Sequence, residues 1–217
     1  MTLPTRAVEN EFADLLAPSE HPSEHPPAVA RRWVNVTTGG HVSAVVWGHG
    51  SPEVVLLHDE GADARTFDAL LSRVDRPVAA LDLPGHGRSN GETPAPPAAR
   101  LARPVIEAIR SFAPRHRLLV AQGLGARVAL HAAHRDPAVV GRLLLIDSLP
   151  GPLPEDEPLW ERLPALRHPP LLVRSLTGKL TDAEVQRFTQ AVAHGSVTVT
   201  ADTGPAALAD IIDIALH

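Results

Sequence analysis

The side chains available for acid–base chemistry in this sequence are almost all carboxylates and imidazoles. There are 25 Asp and Glu residues and 12 histidines, but no cysteine and no tyrosine. Lys179 is the single lysine. General acid–base catalysis therefore has to use a histidine or a carboxylate. The lack of cysteine also excludes disulfides, thiolate metal sites and cysteine nucleophiles.

Three of these side chains follow segments that are typical of buried β-strands. Asp59 and Glu60 come after the apolar run 54–57, and His86 follows the run 78–83. Ligands of open α/β sheets bind in the crevice outside the carboxyl ends of the strands. We therefore predict that Asp59, Glu60 and His86 are catalytic acid–base groups, with Asp59 or Glu60 as the first choice.

Five further residues at the ends of predicted strands are expected to bind substrate in the same crevice. They are His58, Gln122, Gly123, Leu124 and Ser148. For His58 and His86 the alternative is a purely structural role, because loop histidines commonly brace the backbone. For Asp59 and Glu60 the alternative is a solvated loop end.

From residue 33 onward, short β-rich runs alternate with helical patterns, which is typical of a doubly wound sheet. The predicted strands are 33–36, 42–47, 53–58, 78–83, 118–121, 143–147, 171–174 and 197–200. The predicted helices are 65–74, 98–112, 125–134, 182–193 and 206–216. The pattern predicts an α/β fold in which helices flank an eight-stranded, mostly parallel sheet.

Two segments fall outside this alternation. Residues 1–32 include the proline-rich stretch 19–27, which is typical of a linker, and before it Phe12, Leu15 and Leu16 predict one apolar side of a short helix. Residues 150–169 carry six prolines and one short predicted helix at 159–163. We expect residues 33–217 to form the α/β domain, with a reduced cap at 150–169, and residues 1–32 or a second subunit to cover the crevice.

Three motifs together resemble the α/β-hydrolase fold superfamily from residue 33 to the C terminus. They are Val-Val-Leu-Leu-His-Asp-Glu-Gly at 54–61, Ala-Leu-Asp-Leu-Pro-Gly-His-Gly-Arg-Ser at 80–89, and Ile-Asp at 146–147. The family's Gly-x-Ser-x-Gly turn, which carries the nucleophilic serine, corresponds to Ala-Gln-Gly-Leu-Gly at 121–125. The resemblance therefore implies the hydrolase fold with Gly123 at the position of the nucleophile.

The resemblance also implies changes at the other catalytic positions. Gly178 stands where the family's acid is expected, and residues 200–205 lack the family's histidine. The implied oxyanion hole uses the N–H of Leu124 and the loop 58–61, where Asp59 and Glu60 would oppose an anionic intermediate. The sequence therefore predicts a degenerate member without the Ser-Asp-His triad and without esterase turnover.

Two functions are compatible with such a chain. The first is non-hydrolytic isomerase, lyase or cyclase chemistry on a small apolar metabolite, driven by shape and by the carboxylate and histidine groups. The second is a pseudoenzyme that binds a ligand or a protein partner without turnover. An atypical hydrolase is a lesser alternative.

Composition limits the partners. The net charge of −5 and the aromatic content of 3% do not favour nucleic acid, and no segment has the apolar length of a membrane span. His131 and His134, three residues apart, are interpreted as an exposed helix surface, so no metal and no cofactor are expected. We expect a cytoplasmic protein that binds a small apolar molecule and forms a homodimer if a second subunit covers the crevice.

Overall fold

A computed structural model describes residues 11–13, 15, 28–92, 96–151 and 156–217. An eight-stranded sheet with the order β1-β2-β4-β3-β5-β6-β7-β8 runs through these residues. The strands are β1 Val29–Asn35, β2 His41–Trp47, β3 Val54–Leu57, β4 Val78–Leu81, β5 Leu118–Gln122, β6 Arg142–Ile146, β7 Leu171–Ser175 and β8 Ser196–Thr200. The helices are α1 Asp68–Leu71, α2 Ala98–Phe112, α3 Leu124–Arg135, α4 Glu157–Arg162, α5 Asp182–Ala191 and α6 Pro205–Leu216. The predicted fold class is confirmed.

The strands of the sheet differ in direction at one edge only. β1 pairs with β2, and β2 with β4, in antiparallel fashion, whereas β4, β3, β5, β6, β7 and β8 are parallel. β3 and β4 are buried along their whole length. Continuous apolar runs such as Val54–Leu57 are what strands covered by helices on both faces require.

Each face of the sheet has its own apolar core. On one face, α2 and α3 pack through residues such as Val105, Ile109 and Val128, together with Phe188 of α5. On the other face, α6 and the segment 64–71 pack over β3, β5 and β6. The parallel strands between these layers all end at one edge of the sheet, where the loops after β3, β5 and β6 carry the candidate residues.

Two elements differ from the prediction. The predicted helix 65–74 is a 3₁₀ turn, Ala64–Phe67, followed by the short α1. β1 begins at Val29, four residues before the predicted strand and domain start at residue 33. The guanidinium of Arg31 explains this early start, because its Nη1 donates to Asp82 Oδ2 and to Ser43 Oγ, each at 2.8 Å, and so anchors the first half of the strand.

The N-terminal residues that the structure describes pack against the domain. Phe12 is 6% exposed and lies in the second core with Phe67 and Trp47. The carbonyl of Glu11 accepts from Arg65 at 2.6 Å, and its carboxylate pairs with Arg31. Leu16, the third residue of the predicted apolar side, lies outside the described residues, as does most of 1–32.

None of the described helices has the length and apolar character needed to cross a membrane.

A buried histidine joins the loops after β3 and β4. His58 is fully buried; its Nδ1 lies 2.7 Å from the carbonyl of Asp59, and its Nε2 accepts from the N–H of Leu83 at 2.9 Å. Both ring nitrogens are therefore used in the neutral state. Burial lowers the pKa of His58 below its usual value, with His86 acting in the same direction and the Asp59 carbonyl, Asp82 and Asp63 opposing it.

The lowered pKa of His58 predicts a loss of stability in acid. Unfolded chains bind the proton near pH 6.5 whereas the folded protein does so only at lower pH, so the stability present above about pH 6.5 falls as the pH drops through the folded pKa. His58→Gln removes this titration and should flatten the curve of unfolding free energy between about pH 7 and pH 5. Urea unfolding at a series of pH values measures this curve. His134→Gln, at an exposed histidine, is the control and should leave the curve unchanged. His116 and His131, whose pKa values burial also lowers, supply the remaining slope; equal slopes in wild type and His58→Gln would contradict the prediction.

The burial of Phe12 predicts that the N-terminal segment contributes to folding. Phe12→Ala should lower the free energy of unfolding by about 3 kcal/mol, because it leaves a cavity beside Phe67. Trp33→Ala, at a side chain that is 57% exposed, should cost no more than about 0.5 kcal/mol. Equal losses in the two variants, measured by urea unfolding, would show that Phe12 is not part of the core.

Candidate functional site

A strained turn connects β5 to α3 at the centre of the site. β5 ends at Gln122, α3 begins at Leu124, and Gly123 between them has φ 52° and ψ −121°. This backbone conformation costs a residue with a Cβ about 1–3 kcal/mol and costs glycine very little. The turn directs the N–H of Leu124, the first residue of the 12-residue α3, toward the loop after β3.

The carboxylate of Asp59 fills the space that a side chain at position 123 would need. Its Oδ1 accepts hydrogen bonds from the N–H of Leu124 at 2.8 Å and from the N–H of Glu60 at 2.7 Å. A Cβ built on Gly123 would overlap this carboxylate, with Oδ1 at about the distance of a covalent bond. The Asp59 carboxylate therefore occupies space that any side chain at 123 would need.

This arrangement changes the interpretation of the loop 58–61, which carries Asp59 and Glu60. Asp59 was expected to oppose negative charge near the amide of Leu124. Instead, the two backbone amides form an anion cradle at the N terminus of α3, and Asp59 itself is the anion. The sequence could not show this, because it depends on the side chain folding back onto the turn.

A second glycine position is filled in the same way. A Cβ on Gly178, where the resemblance placed the family's acid, would meet the carboxylate of Asp147. Asp147 follows β6, and its two oxygens accept from the N–H of Ser175 at 2.7 Å and from its hydroxyl at 2.6 Å. Among the described residues, Asp147 is the only one other than glycine with positive φ, at 43°. Such strain is concentrated at functional sites.

Asp147 was not among the predicted site residues, which is an omission of the sequence analysis. Its position at the end of a strand was visible, but a hydrogen-bonded turn explained it equally well. The positive φ and the contact with position 178 have no sequence signature. Only the structure therefore distinguishes a site residue from one that merely hydrogen-bonds a turn.

Ser148 ties the end of β6 to the turn. Its hydroxyl donates to the carbonyl of Ile146 at 2.6 Å and accepts from the N–H of Gly123 at 2.7 Å. The structure thus brings Asp59, Gly123, Leu124 and Ser148 together at the end of β5. The hydroxyl of Ser148 is already used twice.

The remaining predicted residues surround this group. The side chain of Glu60 is exposed, and that of Gln122 is half-buried. His86 is half-buried, with Nδ1 3.3 Å from the carbonyl of Pro84 and its ring centroid 5.2 Å from that of His58. Both ring nitrogens of His58 contact backbone groups. This matches the structural role that was the alternative to substrate binding.

A family model described as the Alpha/beta hydrolase family matches residues 54–215. The esterase Rv0045c of Mycobacterium tuberculosis is 32% identical over 156 residues, which are 66% of this chain and 48% of that protein. The pimeloyl-[acyl-carrier protein] methyl ester esterase of Edwardsiella ictaluri is 32% identical over 114 residues, 50% of this chain and 42% of the relative. The chain thus spans about half the length of the curated relatives it matches.

Solved structures share the fold. A crystal structure of Rv0045c has a TM-score of 0.76 at 22% identity, covering 88% of this chain and 92% of that chain. The thioesterase domain from the curacin biosynthetic pathway has a TM-score of 0.74 at 17% identity, covering 85% and 99% of the two chains. At these identities the likeness concerns the fold alone.

The relatives overturn the predicted function. Isomerase, lyase or cyclase chemistry is contradicted, as is a pseudoenzyme without turnover, because the named relatives are esterases. The prediction of a pseudo-hydrolase that has lost its catalytic triad also conflicts with these esterase relatives. The prediction rested on the missing side chain at Gly123, whereas a carboxylate occupies that place in the structure.

The match over most of the chain, the sheet order and the strained turn at Gly123 lead to one conclusion: the chain belongs to the Alpha/beta hydrolase family.

Proposed function

We propose that this chain is an atypical ester hydrolase in which the carboxylate of Asp59 replaces a serine at position 123 as the attacking group. The observation that carries the proposal is the Asp59 carboxylate in the space of a side chain at position 123, with Oδ1 2.8 Å from the backbone nitrogen of Leu124. The named esterase relatives support hydrolysis as the reaction class.

The proposed reaction proceeds through an acyl intermediate on Asp59. A carboxylate oxygen adds to the ester carbonyl carbon, and the carbonyl electron pair moves onto its oxygen. The intermediate expels the aryl oxide of an activated ester and leaves a mixed anhydride on Asp59. A water molecule gives one proton to His86 and adds to the anhydride, which yields the carboxylic acid and the free carboxylate of Asp59. His86 then passes its proton to the aryl oxide.

The two amides of the cradle have a role in this scheme. During attack, negative charge moves from the Asp59 carboxylate to the oxygen of the substrate. The N–H groups of Leu124 and Glu60 hold the Asp59 carboxylate before attack. In this proposal they pass to the substrate oxygen as the carboxylate gives up its charge. In this proposal Glu60 acts through its backbone, since its side chain is exposed.

The other predicted residues support this centre. We assign His86 to proton transfer between water and the leaving group, because it is a half-buried imidazole beside the Asp59 loop. Ser148 holds the turn through the N–H of Gly123, and His58 holds the loop of Asp59.

The leaving group follows from the chemistry of a carboxylate. A simple alkoxide is far more basic than a carboxylate, so the intermediate would expel Asp59 again rather than the alcohol. An aryl oxide or another weakly basic group reverses this preference. We therefore expect activated esters, such as a short 4-nitrophenyl ester, to be the suitable assay substrates.

Removal of the Asp59 carboxylate should abolish turnover. Asp59→Ala should lower kcat/KM on a short 4-nitrophenyl ester at least about 100-fold, because the nucleophile is lost. Added formate should restore part of the rate, since the freed amides of Leu124 and Glu60 would bind a small carboxylate. The exposed Asp75→Ala is the matched control and should keep the wild-type rate.

The contrary outcome is also specific. Full activity in Asp59→Ala and Asp59→Asn, with a loss in Glu60→Gln, would transfer the role to the Glu60 side chain. Full activity in all three variants would exclude carboxylate catalysis at this loop.

The shared space of Asp59 and Gly123 gives a second prediction. Gly123→Ser should lower the free energy of unfolding by about 2 kcal/mol, since the new side chain is strained and overlaps the carboxylate. It should also lose activity, because Asp59 is displaced and no histidine follows β8 within 200–205. Replacing both, Asp59→Gly with Gly123→Ser, should recover part of the stability but no activity. Turnover by Gly123→Ser above wild type would contradict the assignment of Asp59.

A further inference from the structure

The outer edge of β8 pairs with no strand in the part of the chain that the structure describes. β8 is the last strand of the sheet and pairs only with β7 among the described residues. Its sequence, Ser-Val-Thr-Val-Thr, has high β-propensity and contains neither a charge nor a proline. Monomeric proteins usually protect such an edge with lysine, proline or a bulge.

The strand reads almost the same in both directions. An antiparallel copy related by a two-fold axis through Thr198 would place Val197 opposite Val199 of the second copy, and Val199 opposite Val197. Ser196 would then face Thr200 on the other side of the sheet. Val199, which is 59% exposed, would gain an apolar partner. The strand therefore meets the requirement of a two-fold interface that the same surface complement itself.

The backbone groups have the orientation that this pairing needs. The carbonyl of Thr200 accepts from the N–H of Leu176, which continues β7, at 2.9 Å. Because backbone groups alternate along a strand, those of Thr198 also turn toward β7, whereas those of Val197 and Val199 turn toward the open edge. Val197 and Val199 of two copies would thus exchange N–H to carbonyl hydrogen bonds.

From these observations we propose that two copies of this chain associate through antiparallel pairing of β8, centred on Thr198, to form one sheet continuous across both molecules. The occupant of the edge is a second copy because the edge complements itself. The interface is independent of the reaction proposed for Asp59, which lies at the ends of β3 and β5.

A pair of opposite charges at the two-fold tests the register. Thr198→Asp and Thr198→Lys each place like charges face to face and should raise the dimer dissociation constant about 10-fold or more, measured by analytical ultracentrifugation. A mixture of the two variants should form heterodimers again, because the charges are then opposite. Trp33→Asp lies on β1 at the far edge of the sheet, so this variant should dimerise with the wild-type dissociation constant.

Cysteine substitution gives an independent measurement, since the chain has no cysteine of its own. Residues at a non-hydrogen-bonded antiparallel pair have Cα atoms about 4.5 Å apart, within disulfide range. Thr198→Cys should therefore cross-link on mild oxidation, whereas Val199→Cys should do so at least about 10-fold more slowly, since its own copy lies two residues out of register. A monomeric wild type, a Thr198→Asp variant that stays dimeric, dissociation by Trp33→Asp, or equal cross-linking of the two cysteine variants would each overturn the proposal.

Discussion

The geometry of the site depends on two backbone N–H groups that need an anion. The amides of Leu124 and Glu60 converge because β5 turns sharply into α3 and the loop after β3 passes beside that turn. Unpaired donors at a helix N terminus are costly to leave empty in a crevice. Asp59 satisfies both with one oxygen, and this requirement determines which residue can occupy position 123.

The same solution occurs twice along the sheet. At positions 123 and 178 the chain has glycine, and in each case a carboxylate from a neighbouring strand end occupies the free space. Asp59 reaches across from β3 to the end of β5, and Asp147 reaches from β6 to the end of β7. In both places a carboxylate from an adjacent loop fills the space beside a glycine.

The sequence predicted the scaffold better than the site. Apolar runs such as Val54–Leu57 and the stripe of α2 leave little choice of element or sheet, because buried parallel strands and amphipathic helices have distinct periods. The 3₁₀ turn at Ala64–Phe67 and the early start of β1 were missed because tertiary contacts decide them. The site was misinterpreted because a glycine in a sequence shows only a missing side chain, whereas its volume belongs to Asp59 in the structure.

The overlap of residues 59 and 123 also constrains how this chain can change over generations. A side chain at 123 and the present orientation of the Asp59 carboxylate exclude each other, so the effect of either substitution depends on which residue stands at the other position. A lineage that acquired serine at 123 would have to turn or shorten residue 59, and the amides of Leu124 and Glu60 would then lose the carboxylate they hold. The two positions are therefore expected to change together rather than independently.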